Sequence, residues 1–297
     1  MIALIGFVVV LVAVIVGFVF AGGHLMVLFQ PAEYLIISGC AIGMLLVSVS
    51  PKVLKELIQQ ILGILGKGHS KESYKNLLVM LYELFDVARR EGIIALEGHV
   101  ENPEESEILT KYPDFLADHH AVSFFSDTMR MIISGGISTY DLEALIDEDI
   151  ETHHEEISEP PMILQKVGDA LPGFGIVAAV LGVVVTMGAI GGPPEEIGHK
   201  VAAALVGTFL GILLSYGFVQ PLATNLDSAN QSKARYFVCI KQALLGFFKG
   251  MAPSIAVELG RRSIYNDVRP SFLELEEACR EATRGGKQAK KQEEVNV

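Results

Sequence analysis

Val201-Ala-Ala-Ala-Leu-Val-Gly-Thr-Phe-Leu-Gly-Ile-Leu-Leu-Ser-Tyr-Gly-Phe-Val-Gln-Pro-Leu222 carries no charged side chain. As a helix rising 1.5 Å per residue it is long enough to cross ~30 Å of hydrocarbon. Its small residues recur with helical spacing: Ala202, Ala203, Ala204, Gly207, Gly211, Ser215 and Gly217. Gly207 and Gly211 form a GxxxG pair that Ser215 extends. In lipid such a face lets a second backbone come close, because packing rather than hydrophobicity drives helix association there.

Moving outward, three further runs have the same character. Leu171–Ile190 precedes this one and is itself rich in small residues, namely Gly173, Gly175, Ala178, Ala179, Gly182 and Gly188. Ile2–Ala21 and Tyr34–Val49 lie near the N-terminus, the latter holding Gly39 and Gly43. No Lys or Arg precedes the first run, which speaks against a cleaved signal peptide. The four runs pair into two hairpins with short connections. A mean hydropathy of +0.42 together with 20% charged residues fits apolar blocks separated by polar ones.

Position of charge orients the chain. Of 23 Lys and Arg, ten fall in 51–168 and twelve after 222, leaving only Lys200 in a short hairpin loop. Positive charge marks the cytoplasmic side. Both short loops are therefore expected outside, with the N- and C-termini and the 51–168 segment cytoplasmic. The predicted fold class is an all-α integral membrane protein, with four transmembrane helices and a large helical cytoplasmic domain inserted between spans 2 and 3. The expected divisions are a hairpin over 1–50, a cytoplasmic helical domain over 51–168, a second hairpin over 169–222, a C-terminal helical region over 223–284 and a disordered tail over 285–297. A helix-period apolar stripe runs through Ser73–Val100, and Thr139–Ile157 reads as a further, acid-studded helix. Ala243–Leu259 reads as an amphipathic or interfacial helix.

Several function classes fall away. The net charge of -12 opposes a nucleic-acid binder. Cys40, Cys239 and Cys279 show no disulfide or zinc spacing. His119-His120 and His153-His154 are ligand types without HExxH spacing. Gly173-Phe-Gly175 lacks the third glycine of a dinucleotide site, and Gly63–Gly68 lacks P-loop spacing despite Lys67. Within the spans the polar residues are chiefly Ser38, Ser48, Thr186, Thr208, Ser215 and Tyr216, with no carboxylate; Glu33 and Asp169 stand at span ends. A self-contained ion path needs an ionisable or oxygen-rich site near mid-membrane. Pro172 and Pro221 stand at the cytoplasmic ends of spans 3 and 4, where proline reads as helix punctuation, with Asp169 placed to cap the start of span 3.

Val167–Gly182 and Val206–Leu222 together resemble the MotA family of bacterial flagellar stator subunits. So do Glu101-Asn-Pro-Glu-Glu-Ser106, Ile132-Ile-Ser-Gly135, Glu143–His153 and Arg269-Pro-Ser-Phe-Leu-Glu-Leu-Glu276. The likeness runs in order along nearly the whole chain. It implies a homo-oligomer, five copies around two single-span MotB helices in the inner membrane, with the aspartate of MotB carrying the ion. It implies that Pro172 and Pro221 couple ion occupancy to cytoplasmic movement, and that 51–168 is the rotor-interaction domain. Arg89 and Glu97, with Arg90 beside them, match positions through which the family engages FliG of the rotor. Eight residues apart, Arg89 and Glu97 would lie about 80° apart around one helix. Sodium-driven members carry threonines on both partner-facing spans; here Thr208 stands on span 4 but Ala179 at the matching position of span 3, which implies proton coupling and no bound cofactor. The related ExbB and TolQ energy transducers are the alternative, though they typically have three spans.

Overall fold

The computed structural model describes residues 2–63, 68–188 and 190–293. Among these every regular element is helical. The chain divides into two compact units, 1–66 with 156–230 and 67–155 with 231–297. These units divide the chain differently from the expected boundaries: 51–63 and 156–168 fall with the apolar helices, and most of the C-terminal region falls in the other unit.

The first unit holds α1 (Ile2–Phe20), α2 (Pro31–Ser48), α3 (Pro51–Gly63), the later part of α6 (Thr139–Met187), α7 (Pro194–Leu214) and the start of α8 (Gln220–Phe248). Four helical stretches are long and apolar enough to cross a membrane: Ala3–Phe20, Leu25–Ser48, and parts of Thr139–Met187 and Pro194–Phe248. Apolar side chains on α1 and α2, among them Val8, Val12, Leu35 and Val47, are exposed. Inside the unit, Ile37 of α2 is fully buried against Leu171, Ala178, Val206 and Leu210.

Two expectations about spans 3 and 4 fail. No break separates Thr139–Ile157 from span 3: α6 is one helix of 49 residues, about 74 Å long at 1.5 Å per residue. Pro160, Pro161 and Pro172 lie inside it, so Asp169 is no N-cap and Pro172 is no helix start. A proline within a helix strips the carbonyl four residues earlier of its donor. Pro161 frees the Ile157 carbonyl, which instead accepts from Gln60 Nε2 at 3.0 Å and from the buried Asn230 Nδ2. Asn230 also donates to Gln60 Oε1 at 3.1 Å. Long helices tolerate such interruptions when side chains re-satisfy the freed carbonyl.

The second unit is built on α4 (Lys71–Glu91), α5 (His119–Ser134), the start of α6, the end of α8, α9 (Pro253–Ser263) and α10 (Phe272–Glu293). Ser70 caps α4 in a reciprocal capping box with Ser73. The apolar stripe of α4 (Leu77, Leu78, Leu81, Leu84, Phe85) is wholly buried against Phe125 and Met129 of α5, Ile146 of α6 and Ile240 and Leu244 of α8. Ala243–Leu259 therefore supplies core helices of this unit, not an interfacial one. Its hydrophobic residues cover α4, and Gly260 just beyond lies so close that a Cβ there would sit 3.0 Å from Leu78 Cδ2 of α4. Lys241 is buried and pairs with Asp147, with Glu143 3.7 Å away, giving the acidic run a basic partner. α10 runs helically to Glu293 where a disordered tail from 285 was expected, as its Lys, Gln and Ala residues favour helix; 294–297 lie outside the described residues.

His69, just before α4, stacks on Tyr236 at 3.8 Å with Tyr74 edge-on, and its Nε2 lies 3.9 Å from Asp118. Burial holds its pKa below the ordinary 6.5, against the pull of Asp118 and together with the push of Lys233. The folded state thus binds fewer protons here than the unfolded state. The corresponding stability is present above pH 6.5 and is lost as pH falls through the lowered value. Protection factors for hydrogen exchange over Ser70–Lys75, taken relative to the intrinsic rate at each pH, are expected to fall on acidification in wild type and to lose that step in His69→Phe.

Candidate functional site

The small-residue faces of α6 and α7 meet along one seam. A Cβ built on Gly211 would stand 2.6 Å from the Leu171 carbonyl oxygen and 2.8 Å from the Gly175 Cα. One on Gly175 would meet the Gly207 carbonyl oxygen at 2.7 Å, and one on Gly182 the Ala204 Cβ at 2.7 Å. The expected GxxxG contact is thus present between backbones. Gly39, Gly43 and Gly173 take no part, each having open space around its Cβ position.

Seam contacts bring the two ion-path candidates to one level. A Cβ on Gly207, the residue before Thr208, would lie 3.1 Å from Ala178 Cβ and 3.2 Å from the Ala179 backbone nitrogen. Ala179 and Thr208 are both half-buried. Thr186, fully buried, donates to the Gly182 carbonyl at 2.8 Å.

At the other end the two proline regions are joined. Ser215–Val219 forms a π-helical turn immediately before Pro221. Pro221 has no N–H for the Gly217 carbonyl, so the hydrogen-bond ladder widens there. Gln220 Nε2 then reaches Asp169 Oδ1 at 2.9 Å and the buried Ser215 Oγ at 3.1 Å, while Gln165 donates to the same Asp169 oxygen at 3.1 Å. A Cβ on Gly168, whose carbonyl Pro172 leaves without a helical donor, would strike Gln220 Cγ at 2.8 Å. Gln220 and Gly168 were not singled out from sequence: an isolated glutamine and glycine carry no periodic signal.

Glu33 changes the polar inventory of the spans. It lies in the first turn of α2 and is only 6% exposed, because its carboxylate enters the seam beside Gly182 and Gly207. Glu33 keeps its expected place at the start of its span; what the sequence does not show is its burial, in a space that the glycines of neighbouring helices leave.

The rotor-facing candidates sit differently from the one-helix expectation. Arg89 and Arg90 end α4; Gly92 then takes φ +90 and a 3₁₀ turn over Ile93–Leu96 follows. Glu97 begins a separate short helix, Glu97–Glu101. Left-handed backbone at Gly92, which needs no Cβ, ends α4 and separates the charges. Arg89, Arg90 and Glu97 are all exposed, and Arg90 pairs with Asp86 at 3.0 Å. The histidine pairs do converge, with ring centroids of His120 and His153 5.2 Å apart. Among the described residues no group of three His, Cys, Asp or Glu gathers into a metal site.

The motility protein A N-terminal family matches residues 4–92 and the MotA/TolQ/ExbB proton channel family residues 117–237. Motility protein A of Salmonella typhimurium is 45% identical over 99% of this chain and 100% of its own length. That of Escherichia coli is 46% identical over 94% of this chain and 95% of its own. In fold, the chain is similar to the structure of C. jejuni MotAB (TM-score 0.74, 21% identity, 91% of this chain and 98% of that one). It is also similar to the flagellar MotAB stator complex from Bacillus subtilis (TM-score 0.70, 24% identity, 86% and 92%). Near-full-length identity to curated relatives, with the α6/α7 seam inside the matched channel region, shows that the chain belongs to the motility protein A family of flagellar stator subunits, which are not enzymes.

Proposed function

We propose that the chain works as a ring of five copies around two single-span MotB helices, a proton passing on the partner's aspartate between MotB and the α6/α7 seam. The observation that carries this is the seam itself: two helices packed backbone to backbone, with Thr208 and Ala179 at one level and few polar groups of their own. Such a surface can border a path but needs another chain's acid to carry charge along it. Solved relatives titled MotAB supply a partner of that kind. The count of Lys and Arg supports four spans in the inner membrane, exposed apolar residues toward lipid and both termini in the cytoplasm. Proton rather than sodium follows from Ala179, which offers no hydroxyl to replace a sodium ion's hydration shell.

The proline regions support coupling. Pro172 and the π turn before Pro221 are two interrupted ladders tied together by the Gln220–Asp169 bond. A change at the seam can shift both without breaking a regular helix. Arg89, Arg90 and Glu97 offer exposed charges to FliG, individually worth about 0–1 kcal/mol, which suits a contact remade at each step. The N-terminal match to motility protein A favours this over the ExbB/TolQ reading.

Deletion is expected to leave flagella built but not turning, with restoration by the wild-type gene. Swimming should persist without sodium and stop with a protonophore; the reverse would refute proton coupling. Arg89→Glu should slow rotation, with partial rescue by reversing a rotor charge. Normal swimming of Arg89→Glu would sink the rotor assignment, and normal motility of the deletion strain would sink the stator reading.

A further inference from the structure

Glu33 is 6% exposed, and among the described residues no protein donor reaches its buried Oε2. Its surroundings are small and apolar. A Cβ on Gly207 would stand 2.7 Å from Oε2 and 3.1 Å from Ala178 Cβ, and one on Gly182 3.4 Å from Oε1 and 2.7 Å from Ala204 Cβ. The glycines are thus spaced to admit this carboxyl and offer it no side-chain partner. An ionised carboxylate held there without a donor or counter-ion is strongly disfavoured, whereas a proton neutralises it within the same volume.

A second observation bears on how a proton would reach it. A groove of about 690 Å³ is lined by Gln30, Glu195, Glu196, His199, Lys200 and Ala203. Gln30 precedes the first turn of α2 that carries Glu33, and Ala203 adjoins Ala204, which packs on Gly182. The groove's lining thus includes sequence neighbours of the acid's helix turn and of Ala204. Its titratable groups are Glu195, Glu196, His199 and Lys200, with Lys200 held by Glu196 at 3.0 Å.

We propose that Glu33 is a proton-binding site carried by this chain itself, loaded through the Glu195/His199 groove and closed within the α6/α7 seam. Neutral Glu33 lets α2 seat on Gly182 and Gly207; loss of the proton drives the carboxylate back toward the groove. Occupancy thereby governs how α2 packs on the seam. The proton site stands on geometry alone, while its use in rotation rests on the proton-driven reading above.

The test is infrared difference spectroscopy on the full chain with its MotB partner in lipid nanodiscs, comparing wild type with Glu33→Gln across pH. Wild type should show a protonated-carboxyl C=O band that comes and goes with pH and is missing from Glu33→Gln. The partner's aspartate is present in both samples and cancels. Identical spectra at every pH overturn the proposal. Should Glu33→Gln fail to assemble, Gly207→Ala fills the cradle instead; the same band is then expected to shift toward that of a solvent-exposed acid, and an unmoved band overturns the assignment. A lost band alongside sodium-driven swimming keeps this site and refutes the earlier ion reading, so the two failures are distinct.

Discussion

Valine at position 211 should separate α6 from α7 and abolish motility. The first added carbon alone lies 2.6 Å from the Leu171 carbonyl oxygen and 2.8 Å from the Gly175 Cα. Both are backbone atoms in a regular helix, so neither can swing aside as a flexible side chain would. Overpacking a dense core typically costs about 1–3 kcal/mol, and a clash between two backbones belongs at or above the top of that range. In lipid nothing offsets it, because close packing is itself the main attraction between the helices. Thermal unfolding of the purified full chain should show a marked loss for Gly211→Val. Gly198→Ala on the same helix has open space around its Cβ position and should melt near wild type. Equal melting of Gly211→Val and wild type would mean that the seam is not the packed element described.

Phe85→Ala should be the most damaging single truncation in the second unit. Phe85 is fully buried at the C-terminal end of the α4 stripe, and its ring stacks on Phe247 at 4.4 Å with planes 3° apart. Removing a buried phenylalanine costs about 3–5 kcal/mol, through lost transfer energy and the cavity left behind. Ile94 is 71% exposed, and Ile94→Ala should stay within about 0.5 kcal/mol of wild type. Hydrogen exchange over the core of α4 measures both in the intact chain: protection should fall strongly in the first and hardly in the second. Because Arg89 closes the same helix, loosened α4 packing should also weaken any contact made through its exposed end.

The corrections share a physical pattern. Ser73–Val100 has helical periodicity throughout, yet Gly92 takes a left-handed backbone that lets the chain turn, so Arg89 and Glu97 fall on different elements. Pro172 reads as a helix start, yet α6 continues through it and through Pro160 and Pro161 as well. What permits this at Pro161 is remote: Gln60 and Asn230 supply the donors that the ladder has lost. No local rule reports a donor lying 97 residues away in sequence.

The sequence by itself determined what depends on composition and period. Uncharged runs long enough for a bilayer, a small-residue face at four-residue spacing on two adjacent helices, and the apolar stripe of α4 are properties of consecutive residues, and each is legible without coordinates. Only the tertiary structure decided which small residues pack, admitting Gly175, Gly182, Gly207 and Gly211 and leaving out Gly39, Gly43 and Gly173. It also decided where Glu33 goes. In sequence that residue is an acid at the start of an apolar run, and solvent would be its natural place. In the fold it is buried, because glycines on two other helices open a space of its size. Burial is set by what surrounds a side chain, and those surroundings come from segments that only folding brings together.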